Sequence, residues 1–153
     1  MTKTLMITLA ILFLTGILGY LKKRKHIKTL RELDQKRARL TRAEYVHLLL
    51  KKGFDKRHIE VVHDNIRQLI DLEDFSMHPE DDIHSLHAKD DFEAVEFIRG
   101  ICNELHLGDV SQKDFNQLDK EMIVFNAEYI LTLTKKLTRE LTFQSLMPQI
   151  LNN

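Results

Sequence analysis

The seventeen positions from Leu5 to Leu21 read L-M-I-T-L-A-I-L-F-L-T-G-I-L-G-Y-L and carry no charge. As a helix rising about 1.5 Å per residue, the run extends roughly 25 Å, slightly short of a hydrocarbon core of about 30 Å. Snorkelling neighbours or local thinning absorb that difference. Its six Leu, three Ile and Phe13 together favour insertion by roughly 5 kcal/mol. A cleaved signal peptide fits less well, because only Lys3 precedes the run and no A-x-A pattern closes it. Cleavage after Gly19 would put Ile17 where a small residue belongs. Lys22, Lys23, Arg24 and Lys25 follow at once and resist transfer across a membrane. The pattern predicts an uncleaved single-pass anchor, with a short N-terminus outside and the remaining chain cytoplasmic.

Beyond the run the periodicity becomes helical. Ile27, Leu30 and Leu33 recur three apart in a charged stretch, which predicts that the membrane helix continues as a stalk to about Ala38. Thr41 and Glu44 form a capping-box pattern behind Leu40, opening a helix that turns Tyr45, Leu48 and Leu49 inward and stops at Gly53. Asp55 caps a second helix to about Leu72, with Ile59, Val62, Ile66, Leu69 and Ile70 on one face. Phe75 to Lys89, containing Pro79, is the longest irregular candidate, pinned by Phe75, Met77, Ile83 and Leu86. Asp90 and Glu93 start a third helix with Phe92, Val95, Ile98, Ile101, Cys102 and Leu105 inward and Gly108 at its end. Ser111 caps a short turn through Phe115 and Leu118. A last helix begins near Asp119 and presents Met122, Phe125, Tyr129, Leu133 and Leu137. The resulting fold class is all-α, an N-terminal transmembrane helix and stalk followed by a small helical bundle. The division runs 1–4 as a short N-terminus, 5–21 as the span, 22–40 as a basic stalk, 41–137 as the bundle and 138–153 as a tail.

Composition adds a charge asymmetry that the net value conceals. The 153 residues sum to a formal charge of +0, yet ten Lys or Arg face only Glu32 and Asp34 between Lys22 and Arg42. Eleven Asp or Glu face only Lys89 and Arg99 between Asp71 and Glu104. The basic neck suits an anionic inner leaflet, where each cation near the surface is worth about 1 kcal/mol. The apolar run beside it accounts for these charges without nucleic acid, and no nucleic-acid partner is expected. The acidic half is repelled by the same surface and left to a protein with a basic patch. Cys102 is the single cysteine, so an intrachain disulfide is impossible, and its place on an apolar face makes it a buried hydrophobe.

The order helix, long acidic loop, helix, short turn, helix from Lys56 to about Leu133 resembles the acyl carrier protein fold. Asp90-Asp91-Phe92-Glu93-Ala94-Val95-Glu96-Phe97 is similar to the family's Asp-Ser-Leu-Asp-Ala-Val-Glu-Leu, and Met77 to Ile83 resembles the loop before that motif. The resemblance covers about half the chain. It places Asp91 where carrier proteins hold the serine that bears phosphopantetheine, so no phosphopantetheine and no other cofactor is expected. What the resemblance leaves is an acidic helix that docks on basic partners, here Asp90, Asp91, Glu93 and Glu96, with Glu104 further along.

Other chemistry is sparse. His78, Asp82, His84 and His87, with Asp81 nearby, have the donor types of a zinc-like site, although no H-E-x-x-H spacing occurs. Asp81 with Asp82 and Asp90 with Asp91 pair carboxylates, a pattern that also serves capping and solubility. No nucleophile elbow or phosphate-cradling glycine loop is present. The leading expectation is a noncatalytic membrane-anchored adaptor. The alternatives are a membrane-tethered metal or small-ligand-binding domain and an immunity-type protein that neutralises a toxin.

Overall fold

The computed structural model describes the backbone of residues 2–87, 93–108, 110 and 124–150, and the side chains of 5–87, 93–108, 110 and 124–143. The described residues form six helices and no strand: α1 Thr2–Gln35, α2 Arg42–Lys51, α3 Lys56–Leu69, α4 Ile83–Leu86, α5 Ala94–Glu104 and α6 Ala127–Ile150. They fall into two compact units, Met1–Arg39 with Asp71–Phe75, and Leu40–Ile70 with Ser76–Asn153.

In the first unit α1 passes without interruption from the apolar run into the charged neck. The helix closes with the Lys36 N–H donating to the Leu33 carbonyl at 3.2 Å. Segment 71–75 belongs to the same unit, where Lys23 meets Asp71 at 3.0 Å and the Arg37 guanidinium lies 4.8 Å from the centre of the Phe75 ring. Buried Asp34 accepts from Arg39 at 3.4 Å.

The second unit is built around α3, which packs against α2, α5 and α6. Local chemistry fixes the start of each early helix. The Glu44 N–H donates to Thr41 Oγ1 at 3.3 Å, and the Thr41 N–H donates to Glu44 Oε2 at 2.8 Å, a reciprocal capping box. The Thr41 N–H, and its hydroxyl donating to the same Oε2 at 2.7 Å, hold the Glu44 carboxyl below its usual range. Asp55 Oδ1 accepts the His58 N–H at 3.1 Å and caps α3. Ile59, Val62 and Ile66 then form its buried face. Each such side chain contributes about 1.5–3 kcal/mol on burial.

Two helices end in the same motif on different residues. After α2, Gly53 at φ 79° donates its N–H to Leu50 O, and the Phe54 N–H reaches Leu49 O. After α5, His106 at φ 57° donates to Asn103 O, and the Leu107 N–H reaches Cys102 O at 2.9 Å. Both are Schellman stops, which need a left-handed residue one place beyond the cap. The expected stop at Gly108 is therefore corrected to His106, since α5 has already ended at Glu104.

Other expectations shift for packing reasons. Leu48 is exposed while Val46 is buried, so the inward face of α2 is rotated from the expected one. Helix α3 stops at Leu69 rather than Leu72, with Ile70 extended at ψ 115°. The 75–89 connection contains the single turn α4, and Met77, Ile83 and Leu86 are buried in the bundle. Glu93 is extended at φ −100° and ψ 98° and occupies the N-cap, so α5 starts at Ala94, while the expected Asp90 cap lies outside the described residues. Val95, expected inward, is exposed; Ile98, Ile101 and Cys102 are buried, and so is Leu105 just past the helix end. Helix α6 begins at Ala127, not near Asp119, and runs on into the expected tail as far as Ile150. The Tyr129 N–H donates to Asn126 Oδ1 at 3.0 Å, so Asn126 caps α6. Tyr129, Ile130, Leu133 and Leu137 fill the core, whereas Phe125 precedes the helix. Phe92, Ser111, Phe115, Leu118, Asp119 and Met122 lie outside the described residues.

Candidate functional site

Helix α1 is the feature that demands a functional explanation. From Leu5 to Leu21 its apolar side chains are exposed at successive positions, not along one stripe, with Phe13 at 71% and Leu12 at 63%. This helix is long and apolar enough to cross a membrane. A water-exposed helix of ordinary amphipathic design would hide one face; the Leu5–Leu21 run hides none. Within the run the Thr15 hydroxyl bonds locally, donating to the Leu12 carbonyl at 2.9 Å. Such an internal bond suits an apolar surrounding, where water cannot satisfy the hydroxyl.

The neck divides by face. Lys23 is paired with Asp71, His26 and Ile27 are half-buried, and Leu30 is buried. Arg24, Lys25, Lys28 and Arg31 are exposed and, with Tyr20, Leu21, Lys23 and Ile27, line an open groove of about 730 Å³. Lys28 approaches Glu32 only to 3.8 Å. Arg24, Lys25 and Arg31 have no carboxylate within ion-pair distance among the described residues. Lys22 is exposed beside them.

The acidic surface is only partly in view. Asp90 and Asp91 lie outside the described residues. Glu93 and Glu96 are exposed at the start of α5, Glu96 pairs with Arg99, and Glu104 accepts from Asn65 at 2.9 Å. Two of the expected docking carboxylates therefore stand on one short stretch, with Val95 exposed between them.

The histidine loop spends its donors on its own backbone. Asp82 accepts from the His84 N–H at 3.2 Å and from the Ser85 hydroxyl at 2.6 Å, capping α4. Asp81 accepts the His78 N–H at 2.8 Å, and the His78 ring stands 3.8 Å from Glu80. The His84 ring packs on Phe125, with centroids 5.3 Å apart. Among the described residues no group of three or more His, Cys, Asp or Glu could hold a metal ion, so His78, Asp82, His84 and His87 are not brought together as ligands.

The sequence reading missed a polar network at the α2–α3 contact. Arg42 donates to both Asp64 carboxylate oxygens, at 3.3 and 2.8 Å, and the His63 Nδ1 lies 2.8 Å from Asp64 Oδ1. Burial alone would raise the Asp64 carboxyl, but hydrogen bonds from His63 and Arg42 and the Arg42 charge bring it below its usual range. The edge of Tyr45 meets His63 with centroids 4.9 Å apart. Burial, reinforced by Asp81, Glu80 and Glu128, pushes the Tyr45 phenol well above its usual range. The i to i+22 spacing of Arg42 and Asp64 offers no sequence signal, because it depends on how the two helices meet. A smaller cleft of about 160 Å³ is lined by Gly53, Phe54, His58, Leu131, Lys135 and Arg139. Lys135 donates to Gly53 O at 3.0 Å there, and burial lowers the His58 imidazole from its usual range.

Comparison with protein-family models, curated proteins and solved structures gives no match.

Proposed function

We propose that the chain is a single-pass membrane protein in which α1 is the anchor and the α2–α6 bundle is a noncatalytic interaction module at the cytoplasmic surface. The observation that carries this reading is α1, exposed along its apolar run and followed immediately by Lys22–Lys25. The cationic end marks the cytoplasmic side, by the preference of Lys and Arg for that side of a span. The bundle's order of α3, a long acidic connection and α5 supports a carrier-like architecture whose carrier chemistry is lost with Asp91. The exposed Glu93 and Glu96 support docking of a protein with a basic patch.

Alkaline extraction of membranes from cells making the full chain tests the anchor. The full chain should stay in the pellet, and a chain lacking residues 1–21 should move to the supernatant as a folded helical domain. Extraction of the full chain by alkali would refute the proposal.

A further inference from the structure

We propose that Arg24, Lys25 and Lys28 form a site for the phosphate of an anionic phospholipid headgroup, one particular lipid contact rather than a diffuse basic neck. The proposal rests on α1 spanning the membrane. Three observations separate these residues from Lys23 and Arg31. The first is depth. Counting from Leu21, the end of the apolar run, Arg24 and Lys25 lie about 5 and 6 Å further along the helix, Lys28 about 10 Å and Arg31 about 15 Å. The headgroup layer beyond each side of the hydrocarbon is only about 5–8 Å thick.

The second is direction. Helical side chains lean toward the N-terminus, which here is the membrane side, so the long Lys28 side chain reaches back toward Arg24. Arg31 starts too far along to do the same. Tyr20, 65% exposed one turn before Arg24, occupies the interfacial position that tyrosine favours. The third is availability. Lys23 lies at the right depth but is engaged by Asp71 at 3.0 Å on the face that segment 71–75 occupies. Arg24 and Lys25 have no such partner among the described residues, and the loose 3.8 Å approach of Lys28 to Glu32 is readily replaced by a phosphate oxygen. The guanidinium of Arg24 supplies a two-pronged donor for that phosphate, and the two ammonium groups supply point charges.

The test uses the full chain reconstituted in phosphatidylcholine vesicles, with electron spin resonance of spin-labelled phosphatidylglycerol or phosphatidylcholine reporting the lipid held at the protein. The wild type should hold phosphatidylglycerol severalfold more strongly than phosphatidylcholine. R24Q, K25Q and K28Q should each reduce that preference, and the triple variant should abolish it. K23Q and R31Q should leave it nearly unchanged. Millimolar inorganic phosphate should have no more effect than chloride at equal ionic strength. Equal losses in all five single variants would show a diffuse charge effect and overturn the site. Specific competition by inorganic phosphate would assign it to a free anion and overturn the lipid. A wild type that holds both lipids equally would also overturn it. Absence of any protein-held lipid would instead refute the spanning helix on which the site depends.

Discussion

Leucine and isoleucine have opposite fates in the apolar run of α1 and in the bundle: Ile11 and Leu12 are more than half exposed, while Leu49, Ile59, Ile98 and Ile130 are at 0%. The residue types are the same, and their spacing differs. In α3 and α5 apolar positions recur three or four apart and form one face, which neighbouring helices cover. In α1 they are continuous, so no single neighbouring helix can cover them. The burial of the first group is satisfied inside the chain. That of the second requires a medium, and a lipid bilayer supplies it on all sides.

Substitutions that separate the two kinds of burial break this comparison most sharply. Leu49→Ala should destabilise the bundle by about 2–5 kcal/mol in chemical unfolding, through lost transfer energy and the cavity left behind. Leu12→Ala should leave that unfolding curve unmoved. Conversely Leu12→Arg should cost about 3 kcal/mol of membrane insertion, measured as the integrated fraction in a translocation assay, and leave the circular dichroism of the bundle intact. A bundle that loses stability with Leu12→Arg would mean that the two burials are coupled.

The paired helix stops give a smaller test inside the bundle. Gly53 and His106 occupy equivalent left-handed positions, and only glycine does so without steric cost. His106→Gly should stabilise by about 0.5–1 kcal/mol, and Gly53→Ala should destabilise by about 1 kcal/mol, both read from thermal unfolding. Equal and opposite shifts would show that the motif's backbone, not its side chain, sets the stop.

The smallest expected effect is in pH. Because the folded His58 value lies below the unfolded one of about 6.5, the unfolded chain binds more protons in between, and stability should fall as pH drops through that window. Asp64 is also lowered. Its contribution should be present above about pH 4 and be lost as pH falls through the folded value. Urea midpoints across pH should show the first loss disappear in His58→Gln and the second shrink in Arg42→Gln, while α1 substitutions leave both unchanged.

Local bonds and strong periodicity were legible in the amino-acid sequence. Thr41 with Glu44, and Asp55, bond to backbone groups within three residues, so no tertiary knowledge is needed to place them. Leu48 was harder, because positions 45, 46, 48, 49 and 50 are all apolar and only the packing of α3 decides which are covered. His106 is hidden in the sequence by Gly108, the more usual signal for a left-handed stop, and the Asn126 cap has no apolar run at a clear helical start to mark it. At the candidate site the apolar run and its cations are a compositional signal. The pairing of Lys23 with Asp71, which singles out one face of the neck, arises only from the fold. His78, Asp82, His84 and His87 were close in sequence, yet capping by Asp82 and stacking of His84 turned their donors to local uses.

The most direct measurement of the central claim is thiol accessibility in intact vesicles. Cys102 is buried and is the only native cysteine, so single cysteines can be placed in α1 against a slow background. Phe13→Cys should be unreactive toward a membrane-impermeant maleimide from either side until detergent is added, while Lys25→Cys should react from the cytoplasmic side alone. Rapid labelling of Phe13→Cys in intact vesicles would contradict the assignment of α1 to the membrane.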